Sequence, residues 1–161
     1  MKNYTDNFAK NHLPHADLQP DYIINHPDFD FSDLGNCVNK LLDIHIQKGN
    51  GNAIAIQTFD SKWTFEDLYE KSNQIANVLV DDLGFKSGNR VLIRSANNPM
   101  FVAIWFAVLK AGGIVVSTMP LLREKELTTM IDCAEISHAF CEISLAEELK
   151  AVQSPYLKSI T

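Results

Sequence analysis

The chain has little positive charge and no long apolar run. Of its 161 residues, 14 are Lys or Arg and 20 are Asp or Glu, giving a net charge of −6. Because nucleic-acid binders need clustered Lys and Arg to neutralise phosphates, this balance argues against nucleic acid as a partner. The longest apolar run, near residues 102–109, is too short to span a bilayer and is followed by Lys110. The N-terminal segment MKNYTDNFAKNHLPHADL lacks the apolar core of a secretory signal, so we expect a cytoplasmic protein without a membrane span.

The groupings typical of metal and redox sites are also missing. The three cysteines, Cys37, Cys133 and Cys141, do not have the CxxC spacing of a zinc site or a redox pair, and we expect buried or idle reduced thiols. His12 and His15 lie in a proline-containing stretch, where solvated loop residues are expected. The sequence therefore predicts no metal site.

The composition changes near residue 36. Residues 1–35 are polar, contain three of the six prolines and show no clear period, which predicts an extended N-terminal arm. From Asn36 onward, apolar residues recur at helical spacing, beginning with Val38, Leu41, Leu42 and His45. We expect residues 36–161 to form one α/β subdomain.

Short strands and helices then alternate along the chain. Strand patterns at 53–59, 63–64, 90–95, 114–118 and 138–141 are separated by helical patterns at 64–83, 100–111 and 124–134. Thr64 and the Asn98-Pro99 pair are expected helix starts, and Ser144 to Glu147 fits a capping box. The helix at 100–111, with Trp105 and Phe106, is apolar nearly all round and is predicted to be deeply buried. This order predicts a largely parallel sheet with helices on both faces.

Two glycine pairs invite comparison with phosphate-binding loops. Such loops follow a strand and open a helix, so that amide groups and the helix dipole point at the anion. Gly49-Asn-Gly-Asn and Gly112-Gly113 instead end a helix and precede a strand. This order predicts a turn at the first and, at Gly112-Gly113, a helix end that needs a positive φ. A ligand is expected past the carboxyl end of the strand that follows Gly112-Gly113, near residues 118–123.

The residues alone therefore predict an α/β domain whose chemistry is not visible. No Ser/His/Asp order, helical pair of acids or Walker-type loop is present. Ser154–Thr161 adds no closing element, and we expect the chain to be a piece of a longer protein.

Three stretches carry a resemblance to a known family. They are WTFEDL (63–68), RVLIRSANNP (90–99) and WFAVLKAGGIVVSTMPLLREKEL (105–127). Together they resemble the start of the AMP-forming acyl-CoA synthetases of the adenylate-forming superfamily, with TFEDL similar to the first core motif and LKAGG…P to the second. The similarity runs from about residue 36 to residue 141, and ANNP…TMPLLREKEL is particularly similar to benzoate- and 2-aminobenzoate-CoA ligases.

The resemblance implies a two-step reaction. A carboxylate attacks the α-phosphate of Mg-ATP to give an acyl-adenylate and pyrophosphate, and the CoA thiolate then displaces AMP. The family's phosphate loop, adenine and ribose motifs, hinge and catalytic lysine would all follow Thr161. We therefore expect no catalytic residue in this chain, no activity of the fragment by itself, and ATP, Mg and CoA as requirements of the full-length enzyme only.

One binding element of the family would be present. The resemblance places the turn after the second-motif strand at the mouth of the CoA channel. The turn consists of Met119, Pro120, Leu121, Leu122 and Arg123. Some aryl-CoA ligases have an arginine directly after the proline, where this chain has Leu121 with Arg123 two positions on. Arg123 is then either a contact for a CoA phosphate or a solvated residue in the first turn of a helix. Lys110 is interpreted as a cation near a helix C-terminus.

The rival interpretations are a fragment of a fatty-acyl-CoA synthetase, a fragment of a peptide-synthetase adenylation domain, or a non-catalytic interaction module that keeps the fold. Continuation of the reading frame into a Thr/Ser/Gly-rich loop followed by a lysine would favour a ligase over the module.

Overall fold

Six α-helices and six strands, together with short 3₁₀ and π-helical turns, make up the regular structure of residues 5–21 and 35–161, which are the residues that the computed structural model describes. The helices are α1 (Phe8–Asn11), α2 (Ile44–Gln47), α3 (Phe65–Asn77), α4 (Pro99–Lys110), α5 (Glu124–Ala134) and α6 (Ala146–Lys150). The strands are β1 (Ile54–Gln57), β2 (Lys62–Thr64), β3 (Arg90–Arg94), β4 (Ile114–Ser117), β5 (His138–Cys141) and β6 (Ser159–Ile160). Within the described ranges, no helix is long and apolar enough to cross a bilayer.

Four of the strands form one parallel sheet in the order β4-β3-β5-β6. All five residues of the central strand β3 are buried, as expected when helices cover both faces of a parallel sheet. Strands β1 and β2 lie apart from this sheet as an antiparallel hairpin. The predicted α/β fold with a largely parallel sheet is confirmed.

The two faces of the sheet are covered by different helices. Val91 and Ile93 of β3 pack with Leu79, Ile104 and Val108 on the side of α3 and α4. The intervening Leu92 points to the opposite face, among side chains of α5 and α6 (Leu127, Ile131 and Leu149). Because successive strand residues alternate between faces, β3 contributes buried side chains to the cores on both sides of the sheet.

Both predicted helix starts next to the sheet are confirmed. The Asp67 N–H donates to Thr64 Oγ1 at 3.1 Å, and the Thr64 N–H donates to Asp67 Oδ2 at 2.8 Å, which completes a capping box for α3. At α4, the Phe101 N–H donates to Asn98 Oδ1 at 2.8 Å, with Pro99 in the first helical position.

Three local predictions are wrong. Trp105 and Phe106 are half-buried, because a narrower stripe of α4 (Ala103, Ile104, Ala107 and Val108) faces the core. Residues 154–161, in which we expect no further element, include the short strand β6, which pairs with β5 and extends the sheet. The capping box at Ser144 does not form. A 3₁₀ turn covers Ile143–Leu145, and the Ser144 hydroxyl donates to Glu142 Oε1 at 2.8 Å.

The N-terminal segment contacts the amino end of the sheet. The Asp6 carboxylate accepts hydrogen bonds from Arg90 and, at 2.8 Å, from Asn89, while the Phe8 ring lies 4.4 Å from the Arg90 guanidinium. Within residues 5–21, α1 and a 3₁₀ turn at Ala16–Leu18 interrupt the extended path. The arm over residues 1–35 and the boundary at residue 36 stay predictions, since residues 1–4 and 22–34 lie outside the described residues.

Lys110 has a more specific environment than a helix C-terminus. Its ammonium group lies 2.8 Å from Asp43 Oδ1, donates to Asn73 Oδ1 at 2.7 Å and lies 4.2 Å from the centre of the Tyr69 ring. Only 12% of the Lys110 side chain is exposed. Lys110 therefore joins α4 to α3 and to the helical segment before the hairpin.

Candidate functional site

Open parallel sheets bind their ligands at the carboxyl edge, and this edge is the candidate ligand site here. Strands β3, β4 and β5 end there at Arg94, Ser117 and Cys141, and each is followed by an irregular segment. A cleft of about 370 Å³ opens at this edge, lined by residues that include Ser95, Met100 and Glu142.

A buried arginine organises this edge. Arg94 ends β3, is 2% exposed, and donates from Nη1 to the Met119 carbonyl at 3.3 Å. Its Nη2 donates to the carbonyls of Pro120 at 2.9 Å and Leu122 at 2.7 Å. The fourth bond runs from Nε to the Leu145 carbonyl at 3.2 Å, just before α6. Arg94 thus joins the segments that follow β4 and β5.

The turn predicted to line a CoA channel is the one that Arg94 holds. Met119 and Leu121 are 64% and 85% exposed, whereas Leu122 packs on the core beneath α5. Arg123 immediately precedes α5, where its N–H donates to Glu126 Oε2 at 3.0 Å. Its side chain is 81% exposed and lies 3.5 Å from Glu148. The geometry fits both a solvated residue and an accessible cation, so the CoA contact stays a prediction.

Glu142 accepts hydrogen bonds from several polar groups on the other side of the cleft. Its carboxylate accepts hydrogen bonds from the Ser144 hydroxyl at 2.8 Å, the Ala96 N–H at 3.1 Å and the Ser95 hydroxyl at 3.2 Å. The bonds from Ser144 and Ala96 hold the pKa of Glu142 below its ordinary value. Glu142 therefore favours its anionic form and links the segments after β3 and β5.

Burial favours the neutral form of two titratable groups at opposite ends of β5. Desolvation raises the pKa of the Cys141 thiol, which makes this cysteine a poor nucleophile. Desolvation also lowers the pKa of His138, whose Nε2 lies 3.2 Å from the Leu83 carbonyl. Cys37 and Cys133 are exposed free thiols. Within residues 5–21 and 35–161, no group of three or more His, Cys, Asp or Glu side chains is placed to hold a metal ion.

Gly112-Gly113 is confirmed as the end of a helix. Gly112 has φ of +77°, and its N–H donates to the Leu109 carbonyl at 3.0 Å. The Gly113 N–H donates to the Val108 carbonyl at 2.8 Å. Because both amides are bonded to helix carbonyls, neither can cradle a phosphate. Gly49, with φ of +75°, ends α2 in the same way.

Comparisons with known proteins agree with this fold. Residues 44–160 match the AMP-binding enzyme family, and the chain belongs to that family. An uncharacterized acyl-CoA ligase of Bacillus subtilis, YtcI, is 32% identical over 96 residues, covering 54% of this chain and 18% of the relative. A long-chain-fatty-acid–CoA ligase of the same organism is 37% identical over 83 residues, covering 52% of this chain and 15% of the relative.

Solved structures show the same fold. The anthranilate CoA ligase AuaEII, crystallised with anthranoyl-AMP, superposes with a TM-score of 0.71 at 24% identity, over 78% of this chain and 24% of that chain. The chain is thus similar to the N-terminal domain of adenylate-forming enzymes and spans less than a quarter of the curated relatives above.

Two residues at this edge were missed in the sequence. Arg94 and Glu142 each follow an apolar strand segment, in LIR and FCE, and read there as ordinary charged residues. The available signal was that a charge ends a central strand, at the edge where parallel sheets bind ligands. Their partners, however, are backbone groups distant in sequence, which no local pattern reveals.

Proposed function

We propose that this chain is the N-terminal part of an acid–thiol ligase. The full-length enzyme would activate a carboxylic acid with ATP to an acyl-adenylate, release pyrophosphate, and transfer the acyl group to CoA with loss of AMP. The observation that carries the proposal is membership of the AMP-binding enzyme family over residues 44–160, together with relatives that are acyl-CoA ligases.

The described residues have a structural part in this reaction. The amides of Gly49, Gly112 and Gly113 are bonded to helix carbonyls, so the ATP phosphates would be held by residues of the longer protein. Mg would enter with ATP as part of the substrate, and we assign no residue of this chain to it. This chain supplies a sheet, its hydrophobic cores, and a turn at its carboxyl edge for CoA.

The turn Met119–Arg123 is proposed as one wall of the CoA channel. Its exposed apolar side chains, Met119 and Leu121, offer contact area, and Arg123 offers an accessible cation for a phosphate of CoA. The Glu148 carboxylate, 3.5 Å from Arg123, is exposed enough for a phosphate to displace it.

For the acid, we propose an aromatic carboxylate of the benzoate or 2-aminobenzoate type. The stretches ANNP (96–99) and TMPLLREKEL (118–127) support this choice through their similarity to the aryl-acid branch. Long-chain fatty acids are the second candidate, because the relative that is 37% identical acts on them by its name.

Two assays test the proposal. The 161-residue chain should show no ATP–pyrophosphate exchange with benzoate or 2-aminobenzoate, and exchange above a no-enzyme blank would contradict our placement of the chemistry. In the full-length protein, the same acids should support CoA-dependent AMP formation. Activity with long-chain acids alone would reject the aromatic branch, and no AMP formation with any acid would leave the non-catalytic module.

A further inference from the structure

We infer that Arg94 is a positioning residue that presets the Met119–Arg123 turn for CoA. The inference rests on the proposed function for its ligand, while the contacts of Arg94 stand independently of it. Arg94 itself is too deeply buried to touch a ligand, so it would act through the turn.

The environment of Arg94 is unusual for a buried charge. Among the described residues, no carboxylate oxygen lies within 4.0 Å of its guanidinium group, whereas Arg90 has one from Asp6. Burying a guanidinium is unfavourable unless its donors are bonded. Arg94 meets this requirement with four carbonyl oxygens, three of them from a single turn.

This bonding fixes the turn from within. The carbonyls of Met119, Pro120 and Leu122 all converge on one planar guanidinium, whose fork sets their directions. The side chains of Met119 and Leu121 are consequently left exposed. The bond to the Leu122 carbonyl also sets the start of α5, and with it the direction in which Arg123 leaves the backbone.

Beside the buried Arg94, an exposed carboxylate of α6 also bonds to the residues that follow the turn. Glu148 Oε2 accepts a hydrogen bond from the Glu124 N–H at 2.9 Å, and Glu148 Oε1 lies 3.5 Å from Arg123. Glu148 belongs to α6, which begins directly after Leu145, the fourth acceptor of Arg94. The turn is thus tied to the start of α6 at two levels, and a loop held in this way binds without first being ordered.

Arg90 provides a matched control on the same strand. It is 4% exposed, and its guanidinium donates to the carbonyls of Ala134, Gly88 and Glu135. Its partners lie at the amino edge of the sheet, away from the turn. Loss of Arg90 should therefore weaken the fold without altering the turn.

The experiment compares Arg94→Lys, Arg94→Met and Arg90→Lys in the full-length protein. Lysine keeps the charge, but its compact ammonium lacks the planar five-donor fork that reaches four carbonyls in fixed directions. Arg94→Lys should therefore behave like Arg94→Met if geometry is what matters. We expect amide hydrogen exchange at residues 118–124 to accelerate about tenfold or more in both Arg94 variants. We also expect the KM for CoA to rise by about tenfold, with acid-dependent ATP–pyrophosphate exchange within about twofold of wild type.

Each outcome decides the inference. Unchanged hydrogen exchange in the turn would overturn it, as would accelerated exchange with an unaltered KM for CoA. An equal rise in that KM in Arg90→Lys would also overturn it, because general destabilisation would then explain the effect. If the wild-type protein shows no CoA-dependent reaction, the proposed function fails, and loss of protection at 118–124 alone upholds or rejects Arg94 as the residue that sets the turn.

Discussion

The two ends of β3 carry the same residue type in different surroundings. Arg90 at the amino end is bonded to Asp6, to the Gly88 carbonyl and to the last carbonyls of α5, which favour a cation. Arg94 at the carboxyl end is bonded, within the described residues, only to carbonyls of the turn after β4 and of the 3₁₀ turn before α6. The amino end thus secures helices and the N-terminal segment, whereas the carboxyl end shapes an exposed turn.

The two edges of an open parallel sheet have different functions. Ligands bind at the carboxyl edge, so loops there must be shaped for contact as well as for stability. Exposed Met119, Leu121 and Ile143 are all found at this edge, while at the amino edge Phe8 covers Arg90. Substitutions at the amino edge should therefore change stability, and those at the carboxyl edge should change ligand binding.

The largest expected effect on stability is at the amino end. Arg90→Met leaves three carbonyls without their donor and Asp6 without its cation, and we expect a loss of about 3 kcal/mol in the free energy of unfolding. The urea midpoint of the variant measures this loss. A midpoint within error of wild type would show that the Arg90 contacts contribute little to stability. It would contradict the claim that the amino edge serves mainly to stabilise the fold.

The next largest losses of stability are expected at Gly112-Gly113, also at the amino edge. A Cβ at Gly113 would lie 2.5 Å from Phe85 Cζ and 2.9 Å from Val108 Cγ1, so Gly113→Ala should cost about 2 kcal/mol through overpacking. Gly112→Ala should cost about 1 kcal/mol or more, because φ of +77° strains a residue with a Cβ and Ser87 Oγ would lie 2.7 Å away.

These glycine variants should leave the ATP affinity of the full-length enzyme unchanged. The check is a urea midpoint together with an ATP dissociation constant for each variant, at a temperature where all remain folded. Weakened ATP binding with unchanged midpoints would restore the phosphate-loop interpretation of Gly112-Gly113.

Acidification should produce a smaller effect in two stages. Burial lowers the pKa of His138 below its ordinary 6.5, so the unfolded chain takes up the proton first and stability falls as the pH drops from about 6.5 toward the folded pKa. The second stage is the protonation of carboxylates whose pKa lies below the ordinary value, namely Asp6, Asp60, Asp67 and Glu142. For Glu142, the bonds from Ser144 and Ala96 hold the pKa below its ordinary 4.5. Its contribution is present above 4.5 and is lost only as the pH falls through the lowered value.

Urea midpoints of wild type and His138→Gln between pH 7 and pH 3 separate the two stages. We expect the variant to lose the first decline and to keep the second. An identical slope for both proteins between pH 7 and pH 5 would contradict the assignment of the first stage to His138.

The smallest expected effect on stability is at the tip of the carboxyl edge. Arg123→Ala removes only an exposed pair with Glu148, and the free energy of unfolding should change by no more than about 0.5 kcal/mol. Under the proposed function, the KM for CoA should nevertheless rise. An unchanged KM would favour the interpretation of Arg123 as a solvated residue at the start of α5.

Much of the fold could be predicted because its signals are local. Strand β5 and helix α5 have the predicted bounds, and the caps at Thr64 and Asn98 form as expected. The capping box at Ser144 failed because Ser144 lies inside the 3₁₀ turn Ile143–Leu145, so that Leu145 and not Ser144 occupies the N-cap position of α6. Trp105 and Phe106 were placed too deep because an apolar helix shows no stripe, and only its neighbours decide which side faces the core.

The site could be predicted only in outline. Its place past the end of β4 follows from the strand order, and the turn Met119–Arg123 from family resemblance. The contribution of Arg94 could not be predicted, because its four acceptors are backbone carbonyls that lie 25 to 51 residues further along the chain.

The sequence by itself determined the order of strands and helices, the helix caps, and the role of Gly112-Gly113. These depend on the alternation of apolar residues, on side chains within one turn, and on a positive φ, all of which are local properties. Only the tertiary structure decided that Arg94 gathers the turn after β4 and the start of α6, and that Arg90 holds the opposite edge. Both depend on long-range packing, which buries each guanidinium among carbonyls that the folded backbone alone brings together.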